Sequence, residues 1–291
     1  MVRPKAISIK KINKKGMFIF KTTFPAIFLF SLFTLITCKK QTIDPGTDPN
    51  FSVVANSDNG YGMYNRKVAV FGVPVYGHKQ VDDSKLLHTA NILAQYLDND
   101  EDGIVDNQLV LDAIISSKAS IGMKKNASSW VRTPELAQDL YGSETIPEWH
   151  SNGQTGTFDA SLEEVLHVIT HSGYANAYPN VFGEVAGTSI SNAMDIARGG
   201  QFTEIPEPYP INAWYTYDDQ TCEYDCMVTE YIYWALTSFL GAQENRLDEI
   251  VHEWKLNTKG LVQTSDTTIY RLLTDSAYKL PSILPDGTYM H

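Results

Sequence analysis

The stretch 82-DDSKLLHTANILAQYL-97 sets the character of the fold. Its apolar side chains recur at intervals of three and four residues, the spacing that places them on one face of an α-helix. They are Leu86, Leu87, Ala90, Leu93, Ala94 and Leu97. The sequence therefore predicts a helix that packs against a hydrophobic core, followed after a short acidic loop by a second helix over 107–117.

Helical patterns also dominate the rest of the chain. They predict helices over 133–142, 161–172, 189–198, 226–241 and 244–256. One strand is predicted over 67–77, where Pro74 lacks a backbone N–H and favours an edge position. The predicted fold is α+β, a single mostly helical domain over 61–291 with a small edge-type β element.

The acidic loop 98-DNDEDGIVD-106 has the residue order of an EF-hand calcium loop, which it resembles. The resemblance implies calcium ligands at the first, third, fifth, seventh and ninth positions, with a glycine at the sixth. These are Asp98, Asp100, Asp102, the carbonyl of Ile104, and Asp106, with Gly103 at the turn. The twelfth position holds Leu109 instead of a bidentate Glu, so the expected calcium site is weak and structural. A solvated acidic turn is the alternative.

The segment 161-SLEEVLHVITHSGYA-175 allows two interpretations. In the first, Ser161 and Glu164 form a capping box, Gly173 ends the helix, and the polar residues form a solvated face. That face would carry Glu163, Glu164, His167 and His171.

In the second interpretation the same face binds a metal ion. The sequence 163-EEVLH-167 resembles the HExxH motif of gluzincin-type zinc peptidases, with Glu163 in place of the first His. The resemblance implies zinc ligation by His167, His171 and Glu230, with Glu163 as an alternative ligand, Glu164 as general base, and Tyr215 or Tyr217 at the oxyanion. Glu230 lies in an apolar predicted helix, where a charged side chain needs a partner or an ion.

The remaining histidines and the cysteines carry weaker signals. His78, His88, His150, His252 and His291 have no partner at ligand spacing and are predicted to lie at the surface or to be satisfied locally. Cys222 and Cys226 form a close pair, which favours a disulfide in an oxidising compartment; thiolate ligation of a metal is the alternative.

The N-terminus predicts export. Residues 1–37 combine a basic segment with a short apolar run and are predicted to be a signal peptide. The sequence 35-LITC-38 resembles the lipobox of bacterial lipoproteins. The resemblance implies lipidation of Cys38 and membrane anchoring in the bacterial cell envelope, at the outer membrane, through a tether over 38–60.

The charge of the chain excludes some partners. Residues 1–37 carry seven basic side chains and no acidic one, so their removal changes the formal net charge from −11 to −18. Such an acidic protein lacks the basic surface that nucleic acids require. Three functions remain open: a zinc-dependent hydrolase acting on peptides, a calcium-stabilised lipoprotein whose aromatic loops bind a ligand such as a glycan, and a structural envelope protein.

Overall fold

The computed structural model of the chain describes residues 48–291. The predicted signal peptide and Cys38 lie outside these residues. The described part is an α+β domain in which helices predominate, as the sequence predicts. Within it, no helix combines the length and apolarity needed to cross a membrane.

The described strands form one five-stranded sheet. Its strands follow chain order: β1 (Val54–Ala55), β2 (Arg66–Val70), β3 (Val73–Gly77), β4 (Ser120–Lys124) and β5 (Ala137–Tyr141). The first three strands are antiparallel, whereas β3, β4 and β5 run parallel to one another. Among the described strands, β5 is therefore an edge of the sheet.

The single strand predicted over 67–77 is a hairpin. Phe71 and Gly72 both have positive φ (48° and 91°), which suits a tight two-residue turn between β2 and β3. The predicted edge position of Pro74 is wrong, because β3 lies between β2 and β4. Pairing with β4 begins only at Val75. The missing backbone N–H of Pro74 therefore removes no hydrogen bond between β3 and β4.

The helix predicted over 133–142 is also wrong, since residues 137–141 form β5. Each of these five residues pairs with a residue of β4. Strand pairing of this kind depends on a partner far away in sequence, and it outweighs the local helical spacing.

Ten α-helices and one π-helical segment make up the helical part of the described chain. They are α1 (Asp83–Leu97), α2 (Gln108–Ser117), α3 (Glu148–Ser151), α4 (Ser161–His167), the π-helical segment (Val168–Tyr174), α5 (Ala175–Ala177), α6 (Ser189–Arg198), α7 (Tyr224–Leu240), α8 (Leu247–Ile250), α9 (Lys259–Ser265) and α10 (Thr267–Leu273). Helices α1 and α7 are buried over most of their length and form the centre of the core. Of the helix predicted over 244–256, only α8 forms, because the chain turns so that Trp254 is buried beside Tyr215.

The helix that begins at Ser161 differs from its predicted form at both ends. Ala160 is its N-cap, and Glu164 accepts a hydrogen bond from Gln138, so the capping box does not form. Gly173 lies inside the π-helical segment instead of ending the helix. A Cβ on this glycine would lie 2.7 Å from Val110, so its role is to let α2 approach closely.

Residues 48–60, which the sequence assigned to the tether, contact the domain. Asp48 accepts a hydrogen bond from Asn91 at 2.6 Å. The ring of Phe51 stacks on Tyr289 with the ring centroids 5.8 Å apart. Strand β1 extends the sheet beyond β2.

Candidate metal centre

Glu163, His167 and Glu230 converge at one point between α4 and α7. Nε2 of His167 lies 3.7 Å from Oε1 of Glu163 and 3.8 Å from Oε1 of Glu230. The three ligand atoms all lie within 4.8 Å of one another. Residues 163 and 167 share one face because they are one helical turn apart, whereas Glu230 comes from a distant part of the chain.

The spacing of these atoms fits a bound ion. Distances of 3.7 and 3.8 Å are too long for hydrogen bonds. Zinc bonds of about 2.0–2.2 Å in a tetrahedral arrangement place neighbouring ligand atoms roughly 3.4 Å apart. The side chains of His167 and Glu230 are only 5% and 12% exposed, so two carboxylates and an imidazole are held together with little water. Such a group is stabilised by a cation at its centre.

Without a metal ion, the carboxylates favour the protonated, positively charged form of the His167 imidazole. Burial alone would lower its pKa, but the carboxylates of Glu230, Glu163 and Glu164 outweigh burial and raise the pKa of His167 to about 9. Nδ1 of the ring is buried without a hydrogen-bond partner in the described residues, while Nε2 faces the carboxylates. A metal ion and a proton therefore compete for Nε2.

The predicted ligand His171 does not join the cluster. Its Nδ1 pairs with Oε2 of Glu184, whose other oxygen accepts a hydrogen bond from Thr229 at 2.6 Å. The winding changes from α to π at Val168, so His171 does not hold the angular position relative to His167 that α-helical spacing assigns. Of the two ligand sets that the sequence suggested, the structure assembles the one containing Glu163.

Glu164 lies next to the cluster, at the position that HExxH motifs use for a general base. Its Oε2 accepts a hydrogen bond of 2.6 Å from Nε2 of Gln138 on β5. Burial raises the pKa of Glu164 above its ordinary value, and the neighbouring carboxylate of Glu163 adds to the rise, although His167 opposes it. A raised pKa suits a carboxylate that accepts and returns a proton near neutral pH.

A cavity of about 370 Å³ opens beside the cluster. Of the two tyrosines that the sequence suggested for the oxyanion, only Tyr217 lines this cavity. Tyr215 is fully buried and donates its hydroxyl to the carbonyl of Met227. Tyr217 lines the cavity and is 3% exposed. Burial, followed by the carboxylate of Glu230, raises the pKa of Tyr217 far above its ordinary value, so the hydroxyl stays protonated and can donate.

A disulfide closes one side of this cavity. Cys222 and Cys226 are bonded to each other and both line the cavity. Their sulfur atoms are therefore not thiolate ligands in this state. The bond ties the loop that carries Tyr217 to the first turn of α7, one helical turn before Glu230.

The acidic loop 98–106 is folded around its first aspartate. Asp98 is fully buried and accepts hydrogen bonds from the backbone N–H of Gly103 at 2.8 Å and from the hydroxyl of Tyr289. Oxygen atoms of Asp98, Asp100 and Asp102 lie within 4.8 Å of one another. Leu109, at the twelfth position, is 59% exposed and offers no ligand.

A third polar cluster shows how His88 and His150 are satisfied. Both rings contact Oδ2 of Asp159 through Nε2, at 2.7 and 2.9 Å. The same oxygen accepts the hydroxyl of Ser161, the first residue of α4. The contacts have hydrogen-bond length, so this cluster is a polar bracket that fixes the start of the helix. Local spacing does not reveal the contact with His88, which lies 71 residues before Asp159.

Comparison with known proteins found no counterpart: no family model, no curated protein and no solved structure matches this chain.

Proposed function

We propose that this protein is a zinc-dependent hydrolase acting on peptides. Glu163, His167 and Glu230 would hold the ion, and Glu164 would act as general base. The observation that carries the proposal is the convergence of Glu230 on His167 and Glu163 at distances suited to an ion. A solvated helix face, the alternative interpretation, gives no reason for a carboxylate of α7 to be buried at the same point.

A zinc ion at this centre would act as a Lewis acid on a carbonyl oxygen and lower the pKa of a water molecule. The chain would supply the other parts. Glu164 would take a proton from that water and return it to the leaving amine. Tyr217 has a protonated hydroxyl that faces the cavity and is placed to donate a hydrogen bond to the oxygen on which negative charge develops.

The edge of the sheet supports a peptide as the substrate class. Strand β5 borders the cavity through Gln138, Asp139 and Tyr141, and it has a described strand on one side only. The unpaired backbone groups of an edge strand bind extended chains by adding a strand to the sheet. A peptide bound in this way would place a backbone carbonyl near the candidate metal centre.

The non-catalytic binding module has less support. That function needs aromatic rings presented together at the surface, yet Tyr215 and Tyr217 of the aromatic loop 205–219 are buried. Trp130 is 98% exposed, but a single aromatic ring offers little surface on which a glycan could stack.

The loop 98–106 and Cys38 complete the proposal. We infer that the loop binds calcium and that its role is structural, since it joins α1 to α2 and bonds the C-terminal segment through Tyr289. A lipid on Cys38 would anchor the chain to the bacterial outer membrane, so that the hydrolase would act in the cell envelope.

The test is metal analysis of the full chain after chelation and reloading with zinc. We expect one equivalent of zinc, loss of that zinc in His167→Ala and Glu230→Gln, and full retention in His171→Ala. Peptide hydrolysis should stop on chelation and return with zinc. A chain that binds no zinc, or one that loses it through His171→Ala, would contradict the proposed site.

A further inference from the structure

Arg198, the last residue of α6, has a fully buried side chain. Its Nη1 donates a hydrogen bond of 3.0 Å to the carbonyl of Phe202. The other two nitrogens, Nε and Nη2, are buried and have no hydrogen-bond partner among the described residues. Because an arginine keeps its proton at any ordinary pH, this side chain places a positive charge and donors without acceptors inside the protein.

The two nitrogens without partners belong to the same edge of the guanidinium. From that edge, Nε–H and one N–H of Nη2 point in parallel and are spaced to meet the two oxygens of a carboxylate. The third nitrogen, Nη1, is satisfied by Phe202. One complete fork of Arg198 is therefore suited to a planar anion with two acceptor atoms.

No carboxylate of the described residues forms an ion pair with Arg198. Asp195 lies nearby on α6, but its Oδ2 accepts the hydroxyl of Tyr224 at 2.9 Å. Burial raises the pKa of Asp195, while the hydroxyl of Tyr224 and the charge of Arg198 oppose the rise. A buried charge without a partner destabilises a fold strongly. A water molecule would satisfy the N–H groups and leave the charge in place, whereas an anion would do both.

Aromatic rings of the loop 199–212 cover the guanidinium. Its central carbon lies 5.5 Å from the ring centroid of Phe202 and 5.8 Å from that of Tyr209. Both residues are half-buried, so the cover over Arg198 is one side chain thick. The loop contains no helix or strand, so its displacement breaks no helical or sheet hydrogen bonds. Such a cover lets a small anion reach the fork and excludes a large one.

We propose that Arg198 binds a small planar oxyanion, of the class of formate or nitrate, through Nε and Nη2. The site is separate from the candidate metal centre, since Arg198 does not line that cavity, and the inference does not rest on the proposed hydrolase. The bound anion would tie α6 to the loop 199–212. It would also steady Tyr217 in the cavity wall, whose backbone N–H donates to the hydroxyl of Tyr209 at 3.2 Å.

Equilibrium dialysis of the full chain against radiolabelled formate tests whether an anion binds. The other salt is sodium gluconate, whose anion is too large for a covered site. We expect one equivalent of formate, displaced by nitrate and retained when the gluconate concentration is doubled. A chain that binds no formate would contradict the proposed site.

Thermal unfolding assigns the site to Arg198. With formate at about twentyfold its dissociation constant, the melting temperature of the wild type should rise by roughly 4 °C and then level off. Arg198→Met should lose this rise, and Arg198→Lys, which keeps the charge without the fork, should lose most of it. Arg271→Met removes the charge of an exposed arginine on α10; it is the control and should keep the full rise.

A rise that grows without saturation, or one of equal size in Arg198→Met, would be a general effect of salt and would overturn the inference. If Arg198→Met does not fold, the dialysis experiment decides. One displaceable equivalent in the wild type and its loss in Arg198→Lys would then support the site, and equal formate binding by both chains would refute it. Neither experiment reads zinc or hydrolysis, so failure of the proposed function leaves this result unaffected.

Discussion

At the scale of single residues, the main feature is a glutamate where zinc peptidases of the gluzincin type carry a histidine. Glu163 lies one turn before His167, with its Oε1 3.7 Å from Nε2 of that histidine, and in the proposed centre it would contribute an oxygen in place of a nitrogen. The proposed centre would have two carboxylates and one imidazole. The carboxylates of Glu230 and Glu163 outweigh burial and raise the pKa of His167, whereas the pKa of Glu164 is raised mainly by burial.

Glu164→Gln tests the general base. The substitution keeps the size of the side chain and an oxygen that can accept from Gln138, so the fold and the zinc content should be retained. Hydrolysis should fall by roughly 10²–10⁴-fold, the usual contribution of a positioned base. Turnover of the best peptide substrate is compared with zinc content on the same sample; activity within a few fold of wild type would remove Glu164 from the mechanism.

Glu163→His tests whether the glutamate is a ligand. The substitution creates a complete HExxH sequence at 163–167, and imidazole is a favourable ligand for zinc. We expect one equivalent of zinc to be kept and its affinity at pH 7 to equal or exceed that of the wild type, measured by competition with a chromophoric chelator. Loss of zinc would show that position 163 does not face the ion.

At the scale of structural elements, the loop 98–106 joins two helices to the end of the chain. Asn99 accepts the backbone N–H groups of Ser282 and Ile283 through its side chain. The amine of Lys279 donates to the carbonyl of Asp106 at 2.7 Å. An ion in the loop would therefore stabilise α1, α2 and the C-terminal segment together.

Calcium should raise the melting temperature of the full chain. With a dissociation constant of about 10⁻⁴–10⁻³ M, calcium at about 5 mM adds roughly 1–2 kcal/mol to the free energy of unfolding. That corresponds to a rise of roughly 3–6 °C for a domain of this size. Thermal unfolding is measured with calcium and with chelator.

Asp100→Asn should remove most of that rise without lowering the melting temperature in chelator. The side chain of Asp100 is exposed, and desolvation, followed by the neighbouring charges of Asp102 and Asp106, raises its pKa; losing its charge therefore relieves repulsion when calcium is removed. Asp112→Asn, on the exposed surface of α2, is the control and should keep the full rise. An unchanged rise in Asp100→Asn would argue against calcium in the loop.

At the scale of the whole molecule, the bracket around Asp159 couples global stability to pH. Burial alone would raise the pKa of this carboxyl, but hydrogen bonds from His150 and His88 hold the pKa of Asp159 well below its usual range. A carboxylate with a depressed pKa stabilises the fold above its unfolded value of about 3.9, and the contribution is lost as the pH falls below that value.

Asp159→Asn should lower the free energy of unfolding by about 3 kcal/mol at pH 7, because it breaks a buried hydrogen-bonded group. The difference between wild type and variant should shrink below about pH 4, where the carboxylate of the unfolded wild type takes up a proton. Urea unfolding at both pH values gives the two differences. A difference that does not change with pH would show that the bracket acts without the charge of Asp159.

Local patterns predicted much of the architecture. Helix α6 occupies the predicted range, and α1, α2 and α7 begin and end close to theirs, because their apolar spacing is long and regular. Strand β5 was missed because its five residues acquire their conformation from β4. The π-helical segment was missed because its close packing against α2 at Gly173 is a tertiary contact.

The sequence by itself determined which residues could form a metal centre, since Glu163, Glu164 and His167 share one helical face and Glu230 is a charge in an apolar helix. Only the tertiary structure showed that Glu163, and not His171, lies beside His167 and Glu230, and that Tyr217, and not Tyr215, lines the cavity. It also showed that His88 and His150 share Asp159. The physical reason is the distance along the chain over which each kind of contact acts. Helical spacing fixes neighbours within a turn or two, whereas the choice among candidate partners depends on which distant elements pack against that face and where they leave a cavity.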